Sequence, residues 1–265
     1  MNIPQDYHVH TTFSPDGHAA PEELCRRAIQ LGIPEIGFSE HWDVIPHEKD
    51  TRHLQPGPWY AEIERLRGLF AGQLTLRAGI EIGEPHIYRE DTAWILAQAP
   101  FDYVLGSVHY VGAHLMFDES YFRRHGPDEV YGGYFAELEK MARVADVDIL
   151  AHFDVPARTA KPILGYEPAR YEIAIRSVLK VAIERGLALD VNVAGKRKPS
   201  QVLSPDPLIL GWYRQMGGER LTLGSDTHDL GHLGLHLDGA LAAIQAAGFT
   251  HVTQFERRKA RQIPL

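Results

Sequence analysis

The feature that most constrains the fold of this chain is a rhythm repeated seven times, a short apolar run followed by an amphipathic stretch long enough for a helix. The apolar runs are Asp6–His10, "EIGFSEH" ending at His41, "LTLRAGIE" ending at Glu81 and "FDYVLGSVH" ending at His109. "DILAH" ending at His152, "LALDVNV" after Gly186, and "LTLGSDTH" ending at His228 complete the set. The first helix is expected in "PEELCRRAIQLG", where Pro21 suits the opening turn and Gly32 a stop. Others are expected around Trp59–Phe70, Asp91–Gln98, Glu129–Val144, Ala169–Arg185, Pro207–Met216 and Leu235–Ala247. Strands joined through helices become parallel neighbours, because a parallel pair needs a crossover connection. A short run at Thr250–Phe255 could make a degenerate eighth strand. At 265 residues, with no repeats and no linker-like stretch, the expectation is α/β: one domain over residues 1–265, a distorted (β/α)7 TIM-like barrel. A doubly wound open sheet is the alternative.

Position within that rhythm singles out nine side chains. His8 and His10, two apart in an extended strand, share a face. His41, Glu81, His109, His152, Asp226 and His228 all fall at or just past the C-terminal end of an expected strand, and Asp16 lies on the first such loop. Of the 15 histidines, the other nine (His18, His47, His53, His86, His114, His125, His232, His236, His251) mostly fall in loops or helices. Each candidate alone has an ordinary explanation: a hydrogen-bonded structural histidine, a turn Asp before Gly17, a helix-capping Asp226. Together, at the end of a parallel barrel where active sites are built, they converge on one cavity.

Six imidazoles and three carboxylates exceed the roughly four ligands of a single zinc ion. They suit two or three divalent ions, with a carboxylate able to bridge. With no thiolate in the set, Zn, Fe, Mn and Co all fit the donors. Such a pocket holds net positive charge although the chain carries −8, so its natural guest is a small anion such as a phosphate monoester dianion. Arg158 and Arg197, after the fifth and sixth strands, offer planar forks to phosphate oxygens. No basic run is longer than that in "GKRKP" at Gly195–Pro199, and a duplex-binding surface would need a basic stripe, so nucleic acid is not an expected partner. Cys25 is the one cysteine, which excludes an intrachain disulfide and fits a reducing compartment. No basic-then-apolar leader and no membrane-length apolar run is present, so a cytoplasmic protein without a membrane partner is expected. Oligomeric state is not readable.

The motifs "YHVHTTFSPDG", "FSEHWD", "AGIEIGE", "GSVHY", "AHFD" and "GSDTH", in that order and over nearly the whole chain, resemble those of the PHP (polymerase and histidinol phosphatase) domain family. "VNVAGKRKPSQVLSP" and "GFTHVTQFERRK" look more specifically like the histidinol-phosphate phosphatases of that family. The resemblance implies a distorted (β/α)7 barrel with a trinuclear site. One metal would be held by His8, His10, Glu81 and Asp226, a second by Glu81, His109 and His152, and a third by Asp16, His41 and His228. Asp16 departs from members with histidine there. Resemblance also supports Arg158 and Arg197 as phosphate ligands. The implied reaction is metal-dependent hydrolysis of L-histidinol phosphate to L-histidinol and phosphate, with Asp226 or His228 passing a proton to the leaving alkoxide. Phe117, Asp118 and Glu119 are candidates for contacts to the imidazole and amine.

Three other readings compete. Another PHP-type phosphoesterase would act on nucleotides or other small phosphate esters. A non-enzymatic module would not need all nine ligands. A metal-dependent amidohydrolase also uses His-x-His on its first strand but usually carries a metal-bridging lysine, and no strand end here ends in lysine.

Overall fold

A computed structural model of the chain describes residues 2–44 and 51–265; His47 lies outside them. Seven strands form one sheet: β1 Asp6–Val9, β2 Glu35–Trp42, β3 Thr75–Gly83, β4 Tyr103–Ser107, β5 Ile149–Leu150, β6 Ala188–Asn192 and β7 Leu221–Gly224. They lie side by side in chain order, and each pair is parallel. Just beyond the strand ends the sheet closes on itself through a parallel bridge between Val9 and Thr227. His10 N donates to Thr227 O at 2.9 Å and Asp226 N to His8 O at 2.7 Å. The fold is therefore the distorted seven-stranded barrel rather than the open sheet.

Helices α1 Pro21–Leu31, α2 Pro56–Leu69, α3 Arg89–Leu96, α4 Gly133–Val144, α5 Ala157–Leu164, α6 Glu172–Arg185, α7 Pro207–Gln215 and α8 Leu237–Ala246 follow the strands. α1 starts as its sequence dictates, with Pro21 in the first turn and the Glu23 carboxylate accepting from Ala20 N at 3.2 Å. Its buried Leu24, Cys25 and Ala28 belong to the main apolar core. The helix expected from Glu129 begins instead as a wide π turn over Asp128–Gly132, which runs directly into α4. Among the described residues no helix is long and apolar enough to cross a membrane.

The lower half of the barrel interior is apolar. Tyr7, Tyr103, Leu105, Ile149, Ala151, Ala188 and Phe255 pack there as a separate cluster. The Tyr103 ring stacks on Tyr7, with centroids 4.7 Å apart and planes 2° from parallel. Gly37 and Gly79 make this fit, since a Cβ at either position would lie 2.1 or 2.2 Å from Tyr103 atoms. β1 meets β2 at Asp6–Ile36 and Val9–Phe38, three residues' advance on one strand against two on the other. That bulge lets the adjacent Tyr7 and His8 both reach the interior, Tyr7 onto Tyr103 and His8 towards Glu81 and Asp190.

The expected eighth strand exists but is not part of the barrel. β8 His251–Glu256 pairs antiparallel with β9 Lys259–Pro264, and this hairpin packs against the apolar lower end. Phe255 N donates to the Tyr7 hydroxyl at 3.1 Å, Arg257 N to Asp102 Oδ1 at 3.0 Å, and Gln5 Nε2 to Thr253 O at 3.0 Å. β7 already bonds directly to the β1 end, so the ring has no gap for an eighth strand, and the hairpin covers apolar side chains instead.

Candidate metal centre

The parallel strands deliver their C-terminal ends to one place, and all nine candidate ligands meet there. Glu81, at 1 % exposure, sits in the middle. Its Oε2 lies 3.1 Å from His8 Nε2, 3.4 Å from His10 Nε2 and 3.3 Å from His41 Nδ1. Its Oε1 lies 2.9 Å from His152 Nε2 and 3.5 Å from His109 Nε2, and also accepts from the Ser107 hydroxyl. Asp226 Oδ1 stands 3.6 Å from His10, 3.8 Å from His8 and 3.7 Å from His228. Asp16, at the rim with its side chain 55 % exposed, reaches His228 at 3.1 Å and His41 at 3.7 Å. The rings of His41 and His228 both stack on that of His10, at 4.2 and 4.3 Å.

Three sets of ligand atoms are close enough to share an ion: His8, His10 and Asp226; His8, Glu81 and His152; His10, His41 and His228. The last set brings His10 in beside His41 and His228, with Asp16 at its edge. The donor chemistry fits divalent cations. His10 Nε2 and His41 Nδ1 are buried with no hydrogen-bond partner, and His109 Nε2 faces His152 Nε2 at 3.4 Å. Unpaired imidazole nitrogens aimed at one another and at carboxylates are costly without a shared cation. The field is strongly asymmetric. Burial opposes its charge, yet His8 and His41 hold the Glu81 carboxyl well below the usual range. Burial and the neighbouring His41 and His228 push the His10 imidazole well below the usual histidine value.

Backbone strain reaches two of the ligands. His152 and Asp226 have positive φ, 27° and 53°. Arg197, from the turn Ala194–Arg197, donates to the carbonyls of Ser225 and Asp226, both at 2.8 Å, and so clamps the strained segment. A cavity of about 340 Å³ opens over the cluster, lined among others by Asp16, Glu81, Phe117, Arg158 and Asp226. Arg158 on α5 is 9 % exposed and bonds through Nη2 to Asn192 Oδ1 and Asp226 Oδ2, both at 2.7 Å. Arg197 is not among the cavity's lining residues. Phe117 lies on the cavity wall, its ring 5.9 Å from that of His109. Asp118 instead caps a short helix through Ser120 N at 2.7 Å, and Glu119 pairs with Arg123 at 2.9 Å.

Sequence reasoning missed four polar groups that support the ligands. Asp190 and Asn192 on β6 are fully buried beside His8. Asp43 stands 3.6 Å from both His41 Nδ1 and His109 Nδ1. Glu84 accepts from His109 N at 2.5 Å and Tyr110 N at 2.9 Å, fixing the loop after β4. The first two carried a signal, since a carboxylate and an amide inside the apolar run "LALDVNV" must find partners when buried. Glu84 and Asp43 lie just past strand ends and carried none beyond that.

Burial raises the Glu84 carboxyl from its ordinary 4.5 to about 7. Between those values the folded chain binds more protons than the unfolded one, so stability falls as pH rises through that window. Glu84→Gln keeps the acceptor for the two amides and removes the ionisation. In metal-free protein this variant should be more stable than the parent at pH 8, by up to ~3 kcal/mol, and nearly level with it below pH 5. Urea midpoints at the two pH values measure the difference, and an equal offset at both would refute it.

The PHP domain family model matches residues 6–194. The "Probable histidinol-phosphatase" of Deinococcus radiodurans is 31 % identical over 263 residues, 96 % of this chain and 97 % of that protein. The histidinol-phosphatase of Lactococcus lactis is 28 % identical over 260 residues, covering 96 % of this chain and 95 % of its own. The crystal structure of the histidinol phosphate phosphatase of Lactococcus lactis, complexed with zinc, L-histidinol and phosphate, superposes with a TM-score of 0.89 at 24 % identity, over 97 % of this chain and 98 % of that one.

Proposed function

The chain belongs to the PHP domain family, and from that premise we propose that it is a metal-dependent phosphomonoesterase that hydrolyses L-histidinol phosphate to L-histidinol and phosphate. The observation that carries this reading is one cluster of six imidazoles and three carboxylates, His8 and His10 buried beneath and the rest lining, with Arg158, a cavity of about 340 Å³. The full-length relatives with histidinol-phosphatase names support the choice of substrate. His8, His10, Glu81 and Asp226 would hold one divalent ion, Glu81, His109 and His152 a second, and Asp16, His41 and His228 a third. Zinc, as in the Lactococcus lactis structure, fits these donors, as do iron and manganese. When bound, such ions make hydroxide available near neutral pH and neutralise phosphate charge.

The chain's own residues do the rest. Arg158 turns one amino group towards Asn192 and Asp226, while its buried Nε has no partner, leaving donors for phosphate oxygens. Its fixed charge stabilises the negative charge of a loose transition state. Arg197 serves the same phosphate from the neighbouring loop, or through its grip on the Asp226 carbonyl. The leaving alkoxide takes its proton at the edge formed by Asp226 and His228. The partner is a small phosphate monoester rather than nucleic acid, and the setting is the cytoplasm, in keeping with the single buried, unpaired Cys25.

The test is phosphate release from L-histidinol phosphate beside nucleoside monophosphates, sugar phosphates and phosphodiesters. The expected kcat/KM for L-histidinol phosphate exceeds the others by about 100-fold or more, the discrimination that hydrogen bonds to a polar substrate can supply. A nucleotide or a diester turned over faster would move the assignment to another phosphoesterase of the family.

A further inference from the structure

We propose that Asp190 is a positioning residue that fixes which nitrogen of His8 faces the metal centre, and that Asn192 holds Asp190 in place while tying it to Asp226 and Arg158. The inference rests on the metal reading above. His8 stands between two carboxylates on opposite sides of its ring. Nδ1 is 2.8 Å from Asp190 Oδ2, and Nε2 is 3.1 Å from Glu81 Oε2. A neutral imidazole carries one hydrogen, so the two carboxylates compete for it. Asp190 makes the shorter contact and is fully buried, and Glu81 already accepts from Ser107 and faces four further imidazoles. The hydrogen therefore sits on Nδ1, and Nε2 offers its lone pair to a cation.

Asn192 makes Asp190 a fixed acceptor. Its orientation is settled by the main chain, because Oδ1 accepts from Ala194 N at 3.0 Å and from Arg158 Nη2 at 2.7 Å. The amide nitrogen must then face the other way, where it donates to Asp190 Oδ2 at 2.9 Å and to Asp226 Oδ2 at 3.3 Å. The same nitrogen is 3.3 Å from His8 Nδ1, but the buried carboxylate is the stronger and nearer partner of that ring atom. One strand thus sets a histidine ligand, a carboxylate ligand and the arginine through a single chain of hydrogen bonds. Asp190 also lies 3.4 Å from the main-chain nitrogen of the strained His152.

The experiment reads the ring directly. In ¹⁵N-labelled, zinc-loaded protein, His8 should give the ring-nitrogen shifts of an Nδ1–H tautomer with Nε2 bound to the cation. Asp190→Ala removes the acceptor altogether, so nothing holds the hydrogen on Nδ1 and Nε2 is no longer reserved for the cation. Zinc affinity, measured by competition with a chelator, should fall by about 10–100-fold. An Nε2–H tautomer in the parent protein would overturn the proposal even if the variant failed to fold, and so would parental zinc affinity in a folded Asp190→Ala protein. Neither readout involves substrate, so the result stands apart from the identity of the ester hydrolysed.

Discussion

Glu81→Ala should leave a folded barrel that no longer releases phosphate, with kcat/KM lowered by at least about 10³, the loss expected when several kcal/mol of metal-derived stabilisation disappear. Five of the six site histidines place a nitrogen within 3.5 Å of this one carboxyl group. Two of them address one oxygen and three the other, so the group can bridge two cations. Without it five imidazoles lose the carboxylate they share, and the two proposed ligand sets that contain Glu81 are each short of a donor. Elemental analysis of the purified variant should find fewer ions per chain than in the parent. Chelation of the parent should reproduce the inactive state, and divalent ions should restore activity to the parent but not to the variant. A variant with parental metal content and rate would remove Glu81 from the centre of the mechanism.

Arg158→Ala is expected to cost about 10²–10³ in kcat/KM, the size found when one preorganised donor to a developing anion is lost. Arg158→Lys should recover only part of this, because an ammonium keeps the charge but not the planar fork. Because Arg158 also bonds to Asp226 and Asn192, a rise in KM alone and a fall in kcat have different meanings. The first removes ground-state phosphate binding, and the second marks a contact made in the transition state or a displaced Asp226. Equal kinetics for the alanine and parent proteins would exclude a phosphate contact. Arg197→Ala provides the comparison. With both of its hydrogen bonds on the carbonyls of Ser225 and Asp226, it should lower kcat more than it raises KM.

The strand-end rule explains why most of the centre was legible before any coordinates. A parallel barrel gives each strand's last residue the same address, so reading His8, His10, His41, Glu81, His109, His152, Asp226 and His228 as strand ends was enough to bring them together. The grouping of ligands was less legible. The His10 ring lies nearer to those of His41 and His228 than to that of His8, because it stacks on both, and linear spacing carries no information about ring stacking. Asp190 was overlooked because it lies inside its strand, and Asn192, which ends β6, because an amide is not among the imidazole and carboxylate donors that marked the other strand ends, although a charged residue in an apolar run is itself a demand for a partner. The bulge in β1 was invisible to strict alternation, as was the fate of Thr250–Phe255, a strand by composition whose pairing partner is decided only by where the ring closes.

That terminal hairpin gives the molecule an order of assembly. Gln5 and Tyr7 bond to Thr253 and Phe255, residues 248 positions away, and β1 is also joined to the β7 end beyond Leu223. While a ribosome is still making the chain, the first strand has only β2 to lean on, and loop-closure entropy opposes the distant contacts. His8 and His10 are carried on that strand. Capture of cations by this protein is therefore coupled to the arrival of that hairpin, and a chain halted before it lacks the contacts that hold its two earliest ligands in place.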